Sequence, residues 1–368
     1  MIPACFSALK GNARIKSYLQ QMVNKKAIGN SLLFAGQEGI GKGLFANALA
    51  ALVMNSEEGE GRHNQKIEKG QHPDLHYYCP EGKLGLHSIQ TMRDLSEEVH
   101  LPPYEAKWKV FIIHEAERML SYSANALLKT FEEPPPRTLI ILLSQSAKGL
   151  LPTIVSRCRT LRFQPVASQE IEEVLIQNSV DPIQAKTFAQ LCHGSIGRAL
   201  HLAKKGGDPN RTYLLNALTA LPLTSYKDLG EVVGTLAEQI ESTKKEAEDA
   251  AKEELHKISG EYLTAAHQQS LEKEIEGFSA LASVKETQAL FDQLLSWYRD
   301  LQLLLLSPTS PYLINLDYRE QMEQVVQRGN LLSFTQVQKA IDEAQLALQR
   351  STSLSICLEN LFLKLRWI

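Results

Sequence analysis

The sequence predicts an α/β fold, a parallel sheet with helices on both faces, continued by an all-helical region. Three observations carry that expectation. Short, largely apolar runs without polar alternation (Ser31–Ala35, Lys109–Ile113 and Thr138–Leu143) read as strands buried on both faces. Helical stretches separate these runs, as parallel strands require. Beyond Phe163 the strand signals stop and the periodicity is helical almost throughout.

Taken in order, Ala13–Asn24 sets Ile15, Leu19, Met22 and Val23 at helical spacing and reads as a surface helix. Ser31–Ala35 stops at Gly36, a strand feeding a loop, and the Ala- and Leu-rich Leu44–Met54 is the helix that follows. Asn55–Lys69 interleaves Glu, Gly, His and Lys and is expected to be an exposed loop. Tyr122–Phe131 reads as one helix, closed by Pro134, Pro135 and Pro136, which cannot continue it. Ser168 is the expected N-cap of a helix running to Gln177, with Glu170 and Glu172 in its first turn. Gln184–Cys192 is a further helix, and Gly206, Gly207, Asp208 and Pro209 form a linker. Glu241–Lys257 alternates charge sign through the pairs Glu241/Lys245, Glu248/Lys252 and Glu253/Lys257, the pattern of a solvated helix. Gln336–Leu348 and Leu354–Leu365 complete the helical signals. The expected partition is an α/β domain over 1–165, a small helical lid over 166–207 and an all-α domain over 208–368.

Bulk properties narrow the function classes. The 368 residues are 43% hydrophobic and 22% charged, ordinary for a globular chain of two or three domains. A net charge of −3 excludes a strongly basic nucleic-acid binder. The 5 cysteines, Cys5, Cys79, Cys158, Cys192 and Cys357, form no C-x-x-C pair, which points to reduced thiols and a cytoplasmic location. The first residues lack a signal-peptide layout, and the apolar run Leu301–Leu306 is too short to span a bilayer, so no membrane partner is expected.

The most informative string is Gly36-Gln37-Glu38-Gly39-Ile40-Gly41-Lys42-Gly43. It follows G-x-x-x-x-G-K-[ST], whose backbone N–H groups cradle phosphates, whose Lys reaches the β/γ oxygens and whose last hydroxyl ligates Mg²⁺. Gly36, Gly39, Gly41 and Lys42 are candidate nucleotide contacts, but Gly43 stands where the hydroxyl belongs. The partner motif is an apolar strand ending in an acidic residue. Here the strand 109–113 leads into His114, with Glu115 next, where a water-polarising carboxylate sits. A neutral imidazole offers Mg²⁺ neither charge nor a hard oxygen. Both protein attachments of the metal are therefore missing together.

Three other strings carry candidate chemistry. His114-Glu115 opens a zinc-protease pattern that fails at Arg118. His72, His76 and Cys79 have ligand-like spacing but no fourth ligand, so no zinc is expected. Arg157, in Ser156-Arg157-Cys158 beyond the third strand, reads on its own as a surface cation. In a nucleotide-binding fold an arginine there can instead reach a neighbour's γ-phosphate, where a guanidinium is worth orders of magnitude in rate.

Together these residues resemble the AAA+ clamp-loader family of DNA replication. The resemblance covers residues 10–205 through Gly36–Lys42, Glu115, Asn125–Pro135, Ser156–Cys158, Gly194–Leu200 and His72-Pro73-Asp74. It implies an AAA+ P-loop domain with doubly wound parallel sheet, a helical lid, and a C-terminal helical collar for oligomerisation. Motor subunits of the family keep the loop hydroxyl, the acidic strand end and a lid sensor arginine, for which the nearest match here is Gly197, one residue before Arg198. The departures resemble the family's stator, which turns over no ATP and offers its Ser-Arg-Cys arginine to an adjacent motor. That role carries onto Arg157. The implied partners are the gamma/tau and delta clamp-loader subunits and, through the complex, the sliding clamp and primer-template DNA. The loop is expected to hold ATP or ADP weakly, without productive Mg²⁺. The alternatives are an ATP-hydrolysing motor and a structural adaptor with an empty pocket. The family's zinc-binding cysteine cluster is absent, because Asn55–His72 contains no Cys, and that module is expected to be reduced to a loop.

Overall fold

The computed structural model describes residues 6–56, 61–258, 265–310, 312–329, 331–350 and 352–367. Cys5 lies outside them. The first strand, β1 (Ser31–Ala35), feeds a loop and helix α2 (Lys42–Asn55), and is preceded by α1 (Ala13–Asn24). Helix α3 (Asn64–Glu68), β2 (Leu75–Tyr78), α4 (Ile89–Glu98) and β3 (Lys109–Ile113) follow. Then come α5 (Ser121–Ala126), α6 (Leu128–Glu132), β4 (Thr138–Ser144), α7 (Pro152–Val155) and β5 (Arg159–Arg162). The strands form a parallel sheet in the order β2-β3-β4-β1-β5.

Period-two alternation explains why the central strands are apolar throughout. Leu32, Phe34, Val110, Ile112, Leu139 and Ile141 pack on one face with residues of α1 and α2. Leu33, Ala35, Phe111, Ile113, Ile140 and Leu142 pack on the other with residues of α4 to α7. The sheet is thus doubly wound, as the sequence predicts. Both edge strands escape an apolar-run search. β2 is Leu-His-Tyr-Tyr and β5 is Arg-Thr-Leu-Arg, and each keeps residues at the surface.

Two compact units divide the chain: Met1–Lys205 with Thr264–Gly277, and Gly206–Leu263 with Phe278–Ile368. The first also holds α8 (Ser168–Gln177), α9 (Pro182–Leu191) and α10 (Ile196–Lys205), which share a small core around Ile171, Leu175, Phe188 and Leu202. The second is helical: α11 (Pro209–Thr219), α12 (Tyr226–Ile258), most of α13 (Ala265–Leu306), α14 (Arg319–Arg328), α15 (Phe334–Gln349) and α16 (Leu354–Lys364). Trp297, Phe291, Phe362 and Trp367 fill its core. A buried Arg211 donates to both carboxylate oxygens of Asp317, at 2.6 and 2.7 Å, and to Asn315.

Several local expectations are corrected. The helix expected over 122–131 breaks into α5 and α6 at Leu127, whose N–H turns to the Ala124 carbonyl three residues back. Ser168 is the first helical residue and Ala167 holds the cap position, so Ser168 caps nothing. The next helix starts earlier than expected because Pro182 suits a first turn and the Asp181 carboxylate caps it through Ile183 and Gln184. Within α12, Glu248 pairs with Lys252, but Glu241 pairs with Lys244 rather than Lys245. The expected Glu253/Lys257 pair lies outside the described side chains.

The described residues of Asn55–Lys69 also depart from the exposed loop expected there. They contain α3 and bury His63 and Ile67 completely. Polar clasps hold them. Asn55 donates to Asn64 at 2.8 Å and accepts from the His63 N–H at 3.1 Å. His63 and His72 meet ring to ring at 2.8 Å.

Candidate functional site

Residues 36–41 link the C-terminal end of β1 to the N-terminus of α2, the crevice where an open parallel sheet binds ligands. Gly39 (φ 74°) and Gly41 (φ 96°) are left-handed, a conformation that turns successive N–H groups toward one point. At Gly36 the reason for glycine is space, because a Cβ would lie 2.7 Å from Ile40 Cδ1 and 2.9 Å from the Phe163 carbonyl oxygen. Lys42 Nζ folds back over the loop and donates to the carbonyls of Gly36 (2.5 Å) and Gln37 (2.8 Å). Helix α2 adds its positive dipole end at the same place.

The two departures noted in the sequence meet in space. A Cβ at Gly43 would sit 3.7 Å from His114 Cε1 and 3.9 Å from Leu143 Cδ1. An imidazole carbon and an apolar methyl are thus the nearest neighbours of any side chain added there, and the strand end that usually carries a carboxylate carries His114. The donor set therefore does not fit a Mg²⁺-nucleotide, which needs hard oxygens on both sides. His114 is fixed at the strand end, its N–H donating to the Tyr78 carbonyl and its carbonyl accepting from His87 Nε2 at 2.7 Å. Burial, chiefly, keeps His87 below the usual histidine value and hence neutral. Glu115 follows in a left-handed turn (φ 47°).

The lid helix α10 closes directly on the loop. Gly197 N–H donates to the Gly39 carbonyl at 2.9 Å. A Cβ on Gly197 would approach Gly39 Cα to 3.1 Å, and one on Gly39 would lie 2.1 Å from Ser195 Oγ. Backbone touches backbone where the motor pattern has a long cationic side chain. Sequence spacing gives no sign of this contact.

Arg157 lies at the other end of the sheet. It precedes β5, whose first residue, Arg159, pairs with Leu32 near the start of β1, while Arg162 pairs with Ala35 at the loop end. That offset is roughly 10 Å of strand. Arg157 therefore sits at the end of the sheet opposite Gly36–Gly43. Its guanidinium donates to the Thr153 carbonyl at 2.8 Å and to the Glu132 carboxylate. The adjacent Cys158 is buried, which pushes its thiol up to about 12 and leaves it unreactive.

The histidine set divides differently from its sequence spacing. His76 stacks on Phe111 at 4.9 Å, while His72 joins His63 and Glu105, whose ligand-type atoms lie within 4.8 Å of one another. The His63 and His72 rings also bond each other. His72 Nδ1 accepts the Asp74 N–H at 3.1 Å, so its proton sits on Nε2 and is donated to His63 Nδ1. Glu105 is paired with Lys66 at 2.5 Å.

Residues 11–167 match the family model described as DNA polymerase III, delta subunit. The chain is 35% identical, over 196 residues, to DNA polymerase III subunit delta' of Bacillus subtilis, covering 52% of this chain and 59% of the relative. It is 28% identical over 213 residues to DNA polymerase III subunit gamma of Buchnera aphidicola, covering 54% of this chain and 58% of the relative. The chain thus spans less than two thirds of the length of these relatives. A DNA polymerase III gamma subunit-related structure from Thermotoga maritima aligns with 95% of this chain and 98% of its own at 18% identity, with a TM-score of 0.42. The parallel sheet with its loop after β1, the helices α8 to α10 and the helical C-terminal region give the chain an α/β domain continued by helices. Among the described residues no helix is long and apolar enough to cross a membrane.

Proposed function

We propose that this chain is a delta'-like stator of a DNA polymerase III clamp loader, working in the cytoplasm with gamma/tau and delta subunits. It hydrolyses no ATP itself and lends Arg157 to the ATP site of a neighbouring motor. The complex then opens the sliding clamp and sets it on primed DNA.

The observation that carries this reading is the position of Arg157 at the sheet edge opposite the phosphate loop. An arginine there is out of reach of its own loop and available to another subunit, where a guanidinium stabilises charge developing on the transferred phosphoryl group. The facing pair Gly43 and His114 supports the other half of the reading, because neither of the two usual metal-holding positions carries a side-chain oxygen. The similarity to a delta' subunit is consistent with both. The test is reconstitution with gamma/tau and delta. The reading expects a stable complex with clamp-loading activity that fails when this chain is omitted. A chain that does not co-elute with those subunits contradicts it.

A second reading, an adaptor whose loop binds nothing, is favoured by the Gly197–Gly39 hydrogen bond, which rests the lid on the loop. Titration with a fluorescent ATP analogue separates it from weak binding without Mg²⁺. Saturable binding that Lys42→Ala abolishes excludes the empty loop.

A further inference from the structure

Building on the stator reading, we infer that Glu132 is a positioning residue. Its carboxylate holds the Arg157 guanidinium in the pose in which it meets a neighbouring subunit's phosphate. Glu132 is the last residue of α6, and Arg157 lies just past the end of α7. Both backbones are anchored in the same core: Phe131 beside Glu132, and Ile154 and Cys158 around Arg157, are buried in one cluster. Pro134, Pro135 and Pro136 stiffen the exit from α6.

On this fixed base the guanidinium is tied at two points. One terminal nitrogen donates to the Thr153 carbonyl at 2.8 Å and the other to Glu132 Oε1. Anchors from two elements fix the plane of the fork, whereas an untied surface arginine samples many rotamers. The remaining N–H groups are left for phosphate oxygens. The Arg157 side chain is 33% exposed and that of Glu132 is 49% exposed, so the outer side of the fork stays accessible.

A carboxylate beside the arginine also cancels part of its positive charge. If charge alone mattered, Glu132 would oppose the function. Its contribution is therefore orientation, which a neutral acceptor can also supply. That separates Gln from Ala at this position.

The experiment uses the complex assembled with gamma/tau and delta and reads the increment in ATP hydrolysis that this chain adds. Arg157→Ala should reduce that increment roughly a hundredfold or more. Glu132→Ala should lower its kcat roughly three- to fivefold, the scale of an exposed ion pair, with KM for ATP unchanged. Glu132→Gln should stay within about twofold of the wild type, since it keeps an acceptor. In the Arg157→Ala background, Glu132→Ala should have no further effect. Glu132→Ala that leaves hydrolysis unchanged or raises it, while Arg157→Ala slows it, overturns the positioning role and leaves the stator reading standing. An equal loss in both backgrounds also overturns it, because Glu132 would then act elsewhere. An inert Arg157→Ala removes the stator reading and this inference with it.

Discussion

Gly43 and His114 lie side by side at the mouth of the loop, which limits what a single substitution can restore. Gly43→Ser returns the missing hydroxyl, but its Cβ would stand 3.7 Å from an imidazole carbon. With no carboxylate opposite, Mg²⁺ gains at most one weak oxygen. The purified Gly43→Ser chain should therefore show no Mg²⁺-dependent ATP turnover above the wild type in a steady-state assay. Turnover that Lys42→Ala abolishes would mean that a second metal ligand exists, with Glu115 the nearest candidate in sequence. The paired loss was legible in the sequence because each position belongs to a motif of fixed spacing. The Arg157–Glu132 contact was not, since the two residues stand 25 positions apart and belong to separate helical turns.

The decisive contact between elements is that of α10 with the loop after β1. Gly39 is left-handed, and a Cβ there would overlap Ser195 Oγ at 2.1 Å. Gly39→Ala should therefore cost roughly 1–3 kcal/mol, combining backbone strain with displacement of the lid. Urea denaturation followed by circular dichroism should show an earlier midpoint. An unchanged midpoint would mean that the lid is not seated on the loop. Elements were legible where burial dictates residue type, as in β1, β3 and β4, whose two faces are both covered. They were missed where an edge leaves the choice open. His and Tyr in β2, and Arg in β5, satisfy water as readily as the sheet. Asn55–Lys69 reads as exposed in the sequence because its polar residues bury by bonding one another and His72, a pairing that spacing does not reveal.

For the molecule as a whole, burial sets the pH response. Desolvation is the first cause holding His72, His76 and His87 below the ordinary histidine value of 6.5. The unfolded chain therefore binds more protons than the folded one below about pH 6.5. The stability these histidines contribute is complete above that value and is lost as pH falls toward their folded values. Asp74 does not interfere. Burial pushes its carboxyl up, but the N–H groups of Tyr104, Glu105 and Ala106 outweigh this and hold it below 3.8, so its contribution is lost only in stronger acid. Burial raises Asp300 and Glu274, which act in the opposite sense. A variant isolates the histidine effect. Between about pH 8 and about pH 5.5 the fall in urea midpoint should be shallower in His72→Asn than in the wild type. Equal slopes would mean that His72 titrates normally in the fold.

The two units bear on how the oligomer contacts are tested. Residues 264–277 belong to the first unit although they lie between segments of the second. Deleting 208–368 therefore removes part of both, and point substitutions are the cleaner test of assembly. The account as a whole turns on which of two basic residues matters to hydrolysis, Lys42 in the chain's own loop or Arg157 at the far edge. The direct measurement is ATP hydrolysis by the complex with gamma/tau and delta, carrying either Lys42→Ala or Arg157→Ala in this chain. The account predicts that Lys42→Ala leaves the increment added by this chain intact and that Arg157→Ala removes it, with both complexes assembling normally. The reverse pattern, an increment lost with Lys42→Ala and kept with Arg157→Ala, would contradict the account and make this chain a motor.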